Sequence, residues 1–186
     1  LTRFAETLLP LLSQSRSEAI PLAEGAVHGY AARFSGQFAV RFRAKLGLPP
    51  EASIERIDEC LDLLDAQQID FTLFFRRLTG IAGGADPGTL AGMFSDREPF
   101  EAWFATWRRE ADPGAYLTEM RAANPIRIPR NHRVEQAIQG AYRGDLAPFN
   151  RLVDALATPY ADQVEYADLE TPPQPEEVVH QTFCGT

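Results

Sequence analysis

Lys45 is the only lysine among 18 basic residues; the others are all arginines. That count already limits the chemistry. A phosphate-cradling GxxxxGK[ST] loop needs a lysine just after closely spaced glycines, and Lys45 sits instead in RFRAKLGL. It has no V-A-I-K setting either, and neither HRD nor DFG occurs, so no nucleotide signature is recognisable. His28, His132 and His180 are far apart, without the HExxH spacing that sets two imidazoles on one helix face for zinc, and no GxSxG elbow is present. The two cysteines form neither a C-x-x-C pair nor a disulfide framework. Cys60 lies at the edge of the stripe Ile54, Ile57, Leu61 and Leu64, and reads as a small core hydrophobe. Cys184, in Phe183-Cys184-Gly185-Thr186, reads as an accessible thiol unless the tail docks, and is the redox candidate.

Charge is unevenly placed along the chain. After Arg151 there is no further Lys or Arg, while Asp154, Asp162, Glu165, Asp168, Glu170, Glu176 and Glu177 follow. These seven carry most of the net charge of −8. A basic cluster of Arg121, Arg127, Arg130 and Arg133 contains no intervening acid. Such segregation is expected to pair an acidic tail with basic faces of the same protein. Arg127, Arg130 and Arg133 are therefore candidate contacts for the tail, or for another lobe of an intact protein. A pI near 4.9 argues against nucleic acid as a partner.

The elements that would position these groups are helical almost throughout. Residues 2–12 read as a helix bent or closed by Pro10, and 20–46 as a long helix with Ala23, Val27, Tyr30, Phe34, Phe38 and Phe42 at steps of three or four. Gly25, Gly29 and Gly36 cost about 1 kcal/mol each inside it, which suggests close approach of another backbone. Ser53, Asp70, Asp96, Asp112 and Asn131 are candidate N-caps for the following helices. Phe71, Phe74, Phe75 and Leu78 share a core-facing side, with Arg76 and Arg77 expected to point away. Phe100, Trp103, Phe104 and Trp107 make a further packing stripe. The Gly-rich stretch 81–96 reads as loop and short turn, IRIP at 126–129 as extended, and DLAPFNRLVDAL as a short helix. The expected fold is all-α over residues 1–157, followed by an irregular acidic, Pro-containing tail over 158–186. No run of about 18 apolar residues occurs, so no membrane-spanning helix is expected and the chain reads as soluble. The start at Leu1, directly in helix-forming text, reads as a fragment with something upstream.

Taken together, DLLDAQQIDFTLFFRRL (62–78), NPIRIPRNHRVEQAI (124–138), GDLAPFNRLVDALATPY (144–160), the terminal FCGT and the opening LTRFAETLLPLL resemble the C-terminal portion of the selenoprotein O family. The resemblance spans nearly the whole chain and preserves order. It implies the helical C-terminal region of a protein kinase-like fold, in a bacterial-type cytoplasmic enzyme, long taken for a pseudokinase, that moves AMP from ATP to hydroxyl side chains of proteins. It also implies ATP and Mg or Mn in the parent, with the phosphate-binding and metal-binding residues all upstream of Leu1. Partners would be that upstream catalytic lobe and the protein substrates. Cys184 resembles the cysteine-type ending of bacterial members. With no second cysteine at C-x-x-C distance, it would pair with Cys60 or, better given Cys60's core position, with an upstream cysteine.

Two other classes remain in competition: a stand-alone helical interaction module using aromatic faces such as Phe100 and Trp103, and a thiol-redox protein built on Cys184. His132 reads as a helix-start side chain in either case, not as an acid or base.

Overall fold

Asp70 and Asp96 each open a helix by accepting an orphan backbone N–H, from Leu73 at 2.8 Å and from Glu98 at 3.2 Å. These caps fix the middle of the chain in a computed structural model that describes residues 1–181. Cys184 and the rest of the FCGT ending lie outside the described residues. Along the chain run α1 (Thr2–Leu12), α2 (Arg16–Leu46), α3 (Glu55–Ala66), α4 (Phe71–Ala82), α5 (Gly88–Ala91), α6 (Arg97–Glu110), α7 (Leu117–Ala123), α8 (Asn131–Tyr142) and α9 (Ala147–Ala157). Two 3-10 helices follow, Val164–Glu170 and Pro175–Glu177, and no strand occurs among the described residues. The fold is all-α.

The chain divides into two units, Leu1–Phe42 and the remainder from Arg43. The first holds α1 and nearly all of α2. Helix α2 begins four residues earlier than expected, because Ala19 N–H already bonds the Ser15 carbonyl and the helix runs on through Pro21. No residue of α1 is buried.

The second unit has the core. Helices α3 and α6, α4 and α5, α4 and α7, and α5 and α6 pack in pairs. Phe74 and Phe75 meet edge to face, Phe94 stacks on Phe100, and Trp103 stacks on Trp107. Trp107 is buried with its indole N–H on the Leu46 carbonyl at 2.7 Å, so its polar handle is satisfied inside. Gly47, at φ +62°, lies where a Cβ would come within 2.6 Å of the Met120 sulfur; only glycine suits both the backbone and the space. A second core joins α8 to α9 through Ala137, Leu152 and Ala155, and it is closed by Leu169 of the first 3-10 helix.

Several local expectations change: Ser53 and Asp112 do not hold cap positions, since Ile54 precedes α3 and Tyr116 precedes α7. Helix α4 runs on to Ala82, into the stretch 81–96 read as loop and short turn, with Gly83 ending it. Asn131 is the first helical residue of α8 and not its cap; Arg130 holds the cap position and no side chain bonds the orphan amides there. Arg76 does not point away: its guanidinium reaches inward to Glu170 and toward Asp162.

Candidate functional site: an arginine seam beneath the C-terminal segment

The extended residues after α7 carry the seam. Pro125 and Pro129 interrupt helix there, and the freed backbone N–H groups of Ile126 and Arg127 both donate to the Pro159 carbonyl, at 2.8 and 3.2 Å. The segment after α9 is thereby drawn alongside IRIP without forming a strand.

Arg127 is 1% exposed, and its fork is filled by that returning segment. Nη1 donates to Gln163 Oε1 at 3.0 Å, and Nη2 to the carbonyls of Ala161 and Gln163 at 3.0 and 3.2 Å. Its Nε lies 3.3 Å from Glu170 Oε1, an ion contact without hydrogen-bond alignment. Glu170, 5% exposed, also pairs with Arg76. One buried carboxylate thus serves two guanidinium groups. Burial pushes the Arg76 guanidinium down from its ordinary value, and Asp162, 3.9 Å away, pulls it back up. The Tyr166 ring lies between Arg127 and Arg151, its centroid 5.8 and 5.5 Å from their guanidinium carbons.

Arg133 and Arg151 hold the outer side. Arg133 donates to the Asp168 carbonyl at 2.8 Å and to Thr171 Oγ1 at 3.0 Å. Arg151 takes both Asp168 oxygens, at 2.6 and 2.9 Å, which holds that carboxyl below the usual range. Arg130 lies elsewhere: it grips Asp70, at the start of α4. The Arg127 and Arg133 side chains therefore meet the C-terminal segment, while Arg130 joins α8 to α4.

Sequence reasoning missed Arg76 and Asn124 as participants and did not foresee the burial of His132. Helix periodicity puts Arg76 on the side of α4 away from Phe74, Phe75 and Leu78; the partner that turns it inward comes 94 positions later, beyond any local pattern. Asn124 is buried and donates to the Lys45 carbonyl and to Thr79 Oγ1, both at 2.9 Å. Lys45 returns the contact through Nζ to the Ala123 carbonyl at 3.0 Å, with its ammonium 4.7 Å from the Phe75 ring centre. His132 is buried, with an unpartnered Nε2, and burial followed by the nearby charge of Arg133 lowers its pKa. A cleft of about 440 Å³ beside the seam is lined by Arg76, Thr79, Arg121, Asn124, Tyr160 and Asp162.

Cys60 is fully buried, and burial pushes its thiol up, away from the thiolate needed for redox chemistry. Phe100 is 2% exposed, so it is not on offer to a protein partner. Among the described residues no group of three or more His, Cys, Asp or Glu could hold a metal ion. Glu170, Asp168 and Asp70 are each engaged by arginine, so the seam does not fit an ATP-bound metal. No helix among the described residues is long and apolar enough to cross a membrane.

What the second unit defines is a helical body whose C-terminal segment is strapped down by guanidinium–carboxylate contacts. The family model described as "Protein adenylyltransferase SelO" matches residues 1–157, and the chain belongs to that family. It is 41% identical over its whole length to a "Protein nucleotidyltransferase YdiU" of Rhodopseudomonas palustris, 43% to one of Nitrobacter hamburgensis and 42% to one of Mycolicibacterium paratuberculosis. The chain covers 40%, 38% and 39% of those proteins, about two fifths of their length.

Proposed function

We propose that this chain is the C-terminal helical segment of a protein adenylyltransferase that transfers AMP from ATP to Ser, Thr or Tyr hydroxyls of other proteins. The supporting observation is full-length identity above 40% to proteins named protein nucleotidyltransferase, of which the chain spans only two fifths. The catalytic residues, ATP and its Mg or Mn belong to the region preceding Leu1, in a cytoplasmic protein. The segment supports that region, and Cys184 supplies a redox-responsive thiol. The seam is consistent with a supporting role: its arginines are committed to structural partners within the chain.

The test is AMP labelling with ATP bearing a labelled α-phosphate, in magnesium or manganese. The full-length gene product is expected to label protein substrates and the 186-residue polypeptide to label none. Labelling by the short polypeptide would move the catalytic residues into this chain; a gene encoding nothing before Leu1 would return the reading to a stand-alone module.

A further inference from the structure

The Leu1–Phe42 unit has helices but almost no interior. Helix α1 buries none of its residues, although Leu1, Phe4, Leu11 and Leu12 give it an apolar side that is exposed. Helix α2, about 46 Å long at 1.5 Å per residue, presents Tyr30 at 47% and Phe34 at 56% exposure. Their rings, with Phe38, run in a continuous ladder, with centroids 5.9 and 6.1 Å apart. Within this unit only the small side chains of Ala19, Ala23 and Ala39 are buried. Helices in water draw most of their stability from packing an amphipathic face, so an uncovered face of this length needs a partner.

A second feature lies on the other side of α2. Gly25, Gly29, Ala32 and Gly36 recur at steps of four, three and four, which places them roughly opposite the aromatic ladder. A Cβ added at Gly25 or Gly36 would meet nothing within 4 Å. The described chain therefore gives no reason for two glycines that each weaken the helix by about 1 kcal/mol. Small residues facing one way and aromatics facing the other suit a helix enclosed on both sides.

We infer that α2 is a buried strut of the parent protein, with its Tyr30–Phe34–Phe38 ladder covered by the segment that precedes Leu1. This rests on the proposed placement of the chain at the C-terminal end of a longer enzyme. The occupant follows from length: the relatives carry about one and a half times as much chain again outside the matched part. A face on a helix beginning 15 residues after Leu1 is within immediate reach of that region.

The test places the photoreactive residue p-benzoylphenylalanine at position 34, and separately at position 30, in the full-length gene product. Cross-linked peptides are then mapped by mass spectrometry. Cross-links to the segment before Leu1 are expected from both positions. Cross-links to a second copy, to residues 43–181, or to solvent only would overturn the inference. Hydrogen exchange supplies a readout without substitution: amides of residues 22–40 should exchange about a hundredfold more slowly in the full-length protein than in the 186-residue polypeptide, the protection expected of a packed helix. Equal exchange in the two would also overturn it. AMP transfer is scored separately, so loss of the enzymatic reading with intact cross-linking, or the reverse, identifies which proposal has failed.

Discussion

Arg130 and Asp70, 60 positions apart, meet in a two-pronged ion pair of 2.6 and 3.0 Å. Asp70 simultaneously caps α4 through the Leu73 amide, so one carboxylate both starts a helix and ties it to α8. Burial alone would push the Asp70 carboxyl up; the Arg130 hydrogen bond and the Leu73 and Thr72 amides outweigh it and hold the group below its ordinary value.

Arg130→Ala is expected to lower the unfolding free energy by about 3 kcal/mol, well beyond the ~0–1 kcal/mol of an exposed pair, because it leaves a half-buried carboxylate without its cation. Asp70→Asn, which keeps an acceptor for the cap, should also destabilise through loss of the charge pair. Urea midpoints of the two variants check this, and a midpoint unchanged by Arg130→Ala would contradict it.

Acid should weaken the fold in two separate windows. The lowered Asp70 pKa contributes stability present above the ordinary carboxylate value near 3.8 and lost as pH falls through the folded value. The lowered His132 pKa acts higher: below about 6.5 the unfolded chain takes up a proton that the folded imidazole resists, so stability declines as pH drops from that point. His132→Gln should flatten the change in urea midpoint between pH 7.5 and pH 5.5, and an unaltered slope would refute the assignment.

Glu170→Gln should loosen the C-terminal segment locally. It leaves the buried Arg127 and the partly exposed Arg76 without their shared anion, a change of the kind that costs about 3–5 kcal/mol when a buried pair is broken. The amides of Ile126 and Arg127, which donate to Pro159, should then exchange faster, while those of α3 and α6 keep their protection. Uniform loss of protection would instead indicate global unfolding.

Cys60 should stay unmodified by thiol reagents while the chain is folded and react once it is denatured, as expected of a fully buried thiol whose pKa is raised by desolvation. Peptide mapping after brief alkylation at pH 8 separates it from Cys184.

Much of the helical order was legible because its signals are local. Asp70 and Asp96 cap where their side-chain type predicts, and the stripes are buried at Ile57 and Leu64, at Phe74, Phe75 and Leu78, and at Phe100 and Trp107, while Ile54 and Phe71 at their ends are exposed. The seam was less legible because it depends on contacts far apart in sequence. Charge segregation pointed Arg127, Arg130 and Arg133 at the tail, yet Asp70 lies nearer to Arg130 in space than any tail acid it was expected to meet. Arg76 failed for the complementary reason: helix periodicity assigns a face, but a long side chain can reach around it to a buried anion. Tyr30 and Phe34 fit a core-facing stripe by spacing and are exposed, since spacing reports that a face is apolar and not what covers it.

The docking of Lys45 has a practical outcome for anyone handling this polypeptide. Its ammonium donates to the Ala123 carbonyl and lies over two phenylalanine rings, and burial lowers its pKa. Acylating it would remove the charge that holds α2's last turn to the end of α7. Because a hydrogen bond and two rings engage this amine, acylation at Lys45 should be slower in the folded chain than in the denatured one, and its rate serves as a reporter that this corner has opened.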